Sequence, residues 1–318
     1  MTKINWNFDL LDHPVNNWAD IRIETPSIHK LREDIMQFVW TYAPGAAVVG
    51  FSRAGKSTAL EIIGNKVTTR KGKKVPFVYY SALKQDGQTI RAMYESICDF
   101  LFLPMNKRPD LKTMKKQLIT YIAEKAFEYS TQQVILVVDE AQRLSIRQID
   151  VFSDIHDHVK IFYKVHPVII FVGNLEQLTK LLERIVKGEN EHLEGRFFKR
   201  LTVFRGLDGV ADIKYCLNHY DRLRYPLDGP TYTQAFLKNE WDSGFRYSSL
   251  APLIWSVFRE YQKYNNLDSW GTENFIGSVS VLLSDYLPRY GIEENVDEMV
   301  KNSINACRLT SSVVNFVQ

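Results

Sequence analysis

Ala46-Ala47-Val48-Val49-Gly50-Phe51-Ser52-Arg53-Ala54-Gly55-Lys56-Ser57 decides how the chain is read. Four small or β-branched residues predict a buried strand. A glycine-bounded loop follows, and then a helical run from Thr58 to Ile63. This is the pattern G-x-x-x-x-G-K-[ST] in the context of strand, loop and helix start. Gly50 and Gly55 let the backbone curl so that successive N–H groups converge on an anion. The helix N-terminus adds partial positive charge. Lys56 is expected on the β- and γ-phosphates of a bound nucleotide and Ser57 on Mg²⁺. Ser52, Arg53, Ala54 and Thr58 complete the expected nucleotide cradle.

A second stretch, Val134-Ile135-Leu136-Val137-Val138-Asp139-Glu140, matches the first. Five consecutive apolar residues predict a strand buried on both faces, as in a parallel sheet. Its C-terminal end carries two carboxylates, where open α/β sheets bind ligands. Asp139 is expected to hold Mg²⁺, and Glu140 to orient and deprotonate the attacking water. A third apolar run, Val168 to Val172, ends in Gly173-Asn174. In a nucleotide-binding sheet Asn174 lies near the γ-phosphate; taken alone, Gly-Asn is turn chemistry. A fifth strand, Leu201 to Phe204, follows Gly195-Arg196-Phe197-Phe198-Lys199-Arg200.

The chain has 318 residues, 45% of them hydrophobic, enough for one large or two ordinary domains. Lys and Arg number 40 against 37 Asp and Glu, a net charge of +3 that permits a locally basic face. Cys98, Cys216 and Cys307 are scattered, with neither metal-ligand spacing nor a disulfide framework. The polar N-terminus does not read as a signal peptide, and no apolar run reaches the ~18 residues of a membrane span. The expected location is the cytoplasm.

Four segments are expected: an N-terminal extension (1–26), a nucleotide-binding α/β domain (27–207), a helical lid (208–265), and a C-terminal helical extension with tail (266–318). The extension is expected to lie over a neighbouring surface, its own or an adjacent subunit's. Helices are expected over Thr89 to Phe102, with Ile90, Tyr94, Ile97 and Leu101 inward, and over Leu111 to Tyr129. The lid is expected to hold helices at Val210 to Leu223, Thr231 to Lys238 and Tyr247 to Tyr264. Lys112, Lys115 and Lys116 start the second of the earlier pair, where positive charge opposes the helix dipole unless an anion offsets it.

Phosphate loop, Asp139-Glu140, Asn174, Arg196 and a helical lid, in this order, resemble the AAA+ ATPases. The implied fold is an α/β P-loop AAA+ domain, a parallel five-stranded sheet flanked by helices, with a C-terminal helical lid. Leu193-Glu194-Gly195-Arg196-Phe197 is similar to the Leu-x-x-Arg-Phe of initiator-like members and transposition ATPases. The resemblance implies that Arg196, or else Arg200, reaches into a neighbouring subunit's nucleotide. Gly244-Phe245-Arg246 is similar to the lid motif whose arginine contacts the γ-phosphate. Over residues 25–265 the chain resembles the transposon target-selection ATPases TnsC and TniB, with MuB a more distant relative. Gln142 stands where many relatives have His, and its role is open.

That resemblance implies an ATPase using ATP and Mg²⁺ that assembles with copies of itself, as a ring or helical filament, on double-stranded DNA. Its implied partners are a transposase and a TniQ-type target-selection protein, sometimes in CRISPR-guided systems, and no membrane. Arg70, Lys71, Lys73, Lys74, Lys84, Arg91, Lys112, Lys115 and Lys116 are the candidate phosphate contacts. The alternative is a signalling or secretion-type AAA+ switch that binds protein and not DNA.

Overall fold

A computed structural model describes residues 10–52, 54–83, 89–105, 109–188, 190–265 and 267–307. The expectations placed on Arg53, Lys84 and the tail Val313 to Gln318 lie outside the described residues. The described residues fall into two compact units: residues 28–52 with 56–204, and residues 10–27 with 54–55 and 205–307.

The first unit is built on a five-stranded parallel sheet. Its strands are β1 (Gly45–Gly50), β2 (Phe77–Ser81), β3 (Gln133–Asp139), β4 (His166–Asn174) and β5 (Leu201–Val203), in spatial order β2-β3-β4-β1-β5. The helices are α1 (Pro26–Trp40), α2 (Lys56–Ile63), α3 (Ile90–Phe100), α4 (Leu111–Glu128), α5 (Ile146–Tyr163) and α6 (Leu175–Lys187). Parallel neighbours require crossovers, and helices supply them. β1 is buried at every residue, and β3 and β4 at nearly every one, as apolar runs between two helical layers must be. Small side chains in β1 have a steric cause. A Cβ on Gly45 would lie 2.5 Å from the Ile169 carbonyl oxygen and 2.7 Å from the Phe197 ring.

Register fixes the site. Gly50 pairs with Asn174 and Ser81 with Asp139, so the chemical ends of the strands share one edge. Under the sheet, Phe152, Phe197 and Phe198 each pack against Phe171 with centroids 5.2–5.4 Å apart. Each such ring, fully buried, contributes about 1.5–3 kcal/mol of transfer free energy.

Several expected elements differ in detail. The stretch Val75 to Tyr80 reads as a strand in sequence, but Val75 donates its N–H to the Val67 carbonyl at 3.0 Å and so closes the hairpin around Gly72, and β2 begins at Phe77. Tyr94 and Ile97 are buried as expected. Ile90 is 49% exposed, because as the first residue of α3 it precedes the turn that meets the core. The helix expected over Thr231 to Lys238 is two short ones, Tyr232–Phe236 and Lys238–Asp242, broken at Leu237.

The second unit is helical. Its core joins Val15, Ile21 and Ile23 to residues of the helices Val210–Tyr220, Ala251–Asn265, Thr272–Val281 and Val296–Ala306. This part of the N-terminal extension therefore covers its own chain. Trp270 stacks on Phe258 at 4.4 Å. The Asp221 carboxylate accepts from Thr233 Oγ1 and from the Tyr247 and Ser248 N–H groups at 2.8–3.0 Å, tying three segments together. His13 is fully buried among Tyr225, Tyr232 and Phe236, and that burial pushes it down to about 4.

Candidate nucleotide site

The β1–α2 loop has the backbone that its glycines permit. Gly55 has φ +95°, a conformation that side chains rarely adopt. Gly50 is needed for closeness: a Cβ there would lie 2.4 Å from the Phe204 carbonyl oxygen. Ala54 is buried, Ser52 is exposed and Thr58 is half-buried. Lys56 Nζ donates to the carbonyls of Gly50 at 3.0 Å and Phe51 at 2.8 Å. Its ammonium thus sits in the mouth of the loop. Burial holds Lys56 below its ordinary value, while Asp139 and Glu140 pull the other way.

Ser57 Oγ donates to Asp139 Oδ2 at 2.6 Å, across 82 residues of sequence. Asp139 Oδ1 accepts the Glu140 N–H at 2.8 Å. One hydroxyl and one carboxylate are hard oxygen donors, a set that suits Mg²⁺. Among the described residues no cluster of three His, Cys, Asp or Glu could cage a metal. The pair therefore fits an ion whose remaining ligands are phosphate oxygens and water.

Glu140 is in the left-handed region, φ +55°, which swings its side chain off the line of β3. Its Oε2 accepts from Gln142 Nε2 at 2.9 Å and from Arg143 Nη2 at 3.0 Å. Arg143 also donates to the Ala82 carbonyl at 3.1 Å, just beyond β2. Gln142 Oε1 accepts the Asn174 N–H at 3.2 Å. Asn174 in turn caps α6 through the Gln177 N–H and donates Nδ2 to Ser52 Oγ at 3.2 Å. Glu140, Asn174 and the phosphate loop are thereby one hydrogen-bonded set. Sequence reasoning left Gln142 without a role and did not single out Arg143. The signal available was their spacing, two and three residues past Glu140, the reach of a single turn.

Residues 41–182 match the family model described as an AAA domain. The Aeropyrum pernix ORC2 protein, solved in ADPNP and ADP complexes, is similar in structure with TM-score 0.58 and 13% identity, over 96% of this chain and 74% of that one. Drosophila ORC bound to DNA is similar with TM-score 0.50 and 15% identity, over 87% of this chain and 65% of that one. No curated protein matches the sequence. The fold is that of an AAA+ ATPase.

In the α/β unit Arg196 is carried on a π-helical turn, Glu194–Phe198, whose Phe197 and Phe198 anchor it to the core. Its Nη1 lies 2.9 Å from Asp157 Oδ1 and 3.3 Å from the Ser153 carbonyl, both on α5. The side chain is 30% exposed. Asp157 also meets His156 Nδ1 at 3.1 Å, and its hydrogen bonds with His156 and Arg196 outweigh burial to keep its carboxyl below the usual range. Arg200 instead lines a cavity of about 500 Å³ with Asp34, Gln37, Thr41 and Lys199, and its carbonyl accepts the Ala47 N–H at 2.8 Å. It sits at the start of β5, away from the strand ends that bear the phosphate loop. Arg246, in the helical unit, places its guanidinium 3.7 Å over the Trp241 ring.

The basic candidates separate into two groups. Arg70, Lys71, Lys73 and Lys74 lie on the hairpin after α2. Arg70 donates to the Trp40 carbonyl at 3.3 Å and Lys73 to the Ser130 carbonyl at 2.6 Å, so the hairpin sits where α1 and α4 end and β3 begins. Lys112, Lys115 and Lys116 lie at the other end of α4, whose 18 residues span about 27 Å. Arg91 joins them through the Pro109 carbonyl at 2.8 Å, and it also pairs with Glu95. Lys115 pairs with Asp154 at 2.5 Å. Asp110 caps α4 through the Thr113 N–H at 2.7 Å, so the chain supplies an anion at that helix start itself. Lys112 and Lys116 are exposed.

Proposed function

We propose that this chain is an ATP-dependent, DNA-binding transposition regulator. In this reading it assembles with copies of itself on duplex DNA, as a ring or helical filament, and links a TniQ-type target-selection protein to a transposase. The observation that carries the assembly is a division of parts. Lys56, Ser57 with Asp139, Glu140 and Asn174 belong to one hydrogen-bonded site, while Arg196 is held apart by Asp157 and Ser153. An arginine partly exposed on a rigid turn suits delivery to a neighbouring subunit. Arginines supplied in trans are worth about 10³–10⁵ in rate. The transposition assignment rests on the likeness of Leu193 to Phe197 and of the overall sequence to TnsC and TniB. Similarity of fold to a Drosophila ORC solved on DNA is compatible with a duplex partner.

The chemistry follows from the residues. Lys56 leaves the carbonyls of Gly50 and Phe51 for the β- and γ-phosphate oxygens. Ser57 and Asp139 would hold Mg²⁺, which when bound would supply neutralisation of the phosphate charge. Glu140 takes a proton from water as its oxygen attacks the γ-phosphorus, and ADP departs. Asn174 Nδ2, beside Ser52, orients the γ-phosphoryl group. Arg246 belongs to the same proposal as a lid contact to that phosphate.

Two variants test the reading. Lys56→Ala is expected to lose ATP binding and assembly on DNA. Glu140→Gln is expected to bind ATP, not turn it over, and leave long-lived assemblies. Nucleotide-dependent oligomers that ignore plain duplex DNA in a mobility shift would favour the protein-binding switch instead.

A further inference from the structure

We propose that Gln142 is a positioning residue for hydrolysis: its amide locks the Glu140 carboxylate to the end of β4. The inference rests on Glu140 being the base. A primary amide is both donor and acceptor, and here both ends are used. Nε2 donates to Glu140 Oε2 at 2.9 Å, and Oε1 accepts the Asn174 N–H at 3.2 Å. The opposite orientation of the amide would face an N–H with a donor and a carboxylate with an acceptor, so the network admits one orientation only. Asn174 continues the link to Ser52 of the phosphate loop. A change in the loop on ATP binding therefore has a direct path to the base.

A second observation, on a different strand, points to the same contact. A Cβ on Gly173 would lie 2.4 Å from Gln142 Oε1, closer than any real carbon approaches. Gly173 is not required by backbone conformation, since its φ is not in the left-handed region. Within β4 a glycine costs about 0.5–1 kcal/mol relative to alanine. Its presence admits the Gln142 amide to the backbone of β4. Without the amide, Glu140 keeps Arg143, which anchors it to Ala82 beyond β2 and not to the Asn174 end of β4. The base would then follow the wrong strand.

The test measures steady-state ATP hydrolysis by the full chain on duplex DNA, with binding of a fluorescent ATP analogue as the check on folding. Gln142→Met, close in shape but without either hydrogen bond, is expected to lower kcat ~10–100-fold with KM within about twofold, the cost of a misplaced group. Gly173→Ala is expected to give the same split by expelling the amide. Gln142→Glu keeps the acceptor for Asn174 but removes the donor to Glu140, and it is expected to lower kcat as Gln142→Met does, with KM within about twofold. A merely structural glutamine would tolerate this near-isosteric change. Wild-type kcat in both Gln142→Met and Gln142→Glu overturns the inference, and these two decide it if Gly173→Ala fails to bind nucleotide. Glu140→Gln separates the two failures. If it is inactive while Gln142→Met is normal, only the positioning role falls; if it turns over normally, the base assignment falls and the positioning role with it.

Discussion

If the chain binds duplex DNA as proposed, the salt dependence of that binding distinguishes the two basic groups, and the structure sets its size. Of the four cations near the start of α4, Arg91 pairs with Glu95 and Lys115 with Asp154, leaving Lys112 and Lys116 exposed, four residues apart on one face. The hairpin group lies where α4 ends, at the edge of the sheet opposite the phosphate loop. ATP-dependent binding favours the α4 group, which shares its edge with the nucleotide site. Two neutralised phosphates per protomer give a slope of log K against log salt of about −0.9 × 2, or roughly −1.8. Between ~50 and ~200 mM salt that is a loss of about tenfold in affinity per protomer bound. The double variant Lys112→Ala/Lys116→Ala is expected to flatten the slope by that amount, and Lys71→Ala/Lys74→Ala to leave it alone. The assay is fluorescence anisotropy of a labelled duplex, titrated with protein and a non-hydrolysable ATP analogue at several salt concentrations. An unchanged slope in the α4 variant, with a flattened one in the hairpin variant, would refute the assignment.

Arg196→Ala is expected to lose hydrolysis, and mixing it with Lys56→Ala to restore part of the activity, because each protein supplies what the other lacks at a shared interface. No recovery at any ratio would make the arginine a cis or structural residue. The buried His13 ties stability of the helical unit to pH. Its folded value of about 4 lies below the ordinary 6.5, so its neutral form is favoured by folding. The contribution is present in full above about pH 6.5 and lost as pH falls towards 4, roughly 3 kcal/mol in all at ~1.4 kcal/mol per pH unit. Urea unfolding between pH 7 and 4.5 reads it, and His13→Phe is expected to weaken the dependence. Gly45→Ala is expected to destabilise by about 1–3 kcal/mol through overpacking against the Ile169 carbonyl and Phe197. An unchanged melting temperature would count against that packing.

The parts of the site that could be read in sequence are those whose physics is local. A glycine-bounded turn into a helix and an apolar run ending in two carboxylates each carry their reason within about ten residues. Each is found where the pattern placed it, as the bounds of β1, β3 and β4 show. What could not be read depends on which strands become neighbours. Gln142 acquires its second partner only because β3 lies beside β4, and Asn174 reaches Ser52 only because β4 lies beside β1. Asp157 was invisible as the partner of Arg196, since nothing in either segment says that the π-helical turn returns to α5. The basic residues illustrate the same limit from the other direction. Counted along the chain they suggest one positive surface, but α4 separates them by about the length of a domain layer, and ion pairs engage half of the group at its start. A charge run specifies where cations are in sequence; helix direction and competing carboxylates decide whether they can meet one duplex.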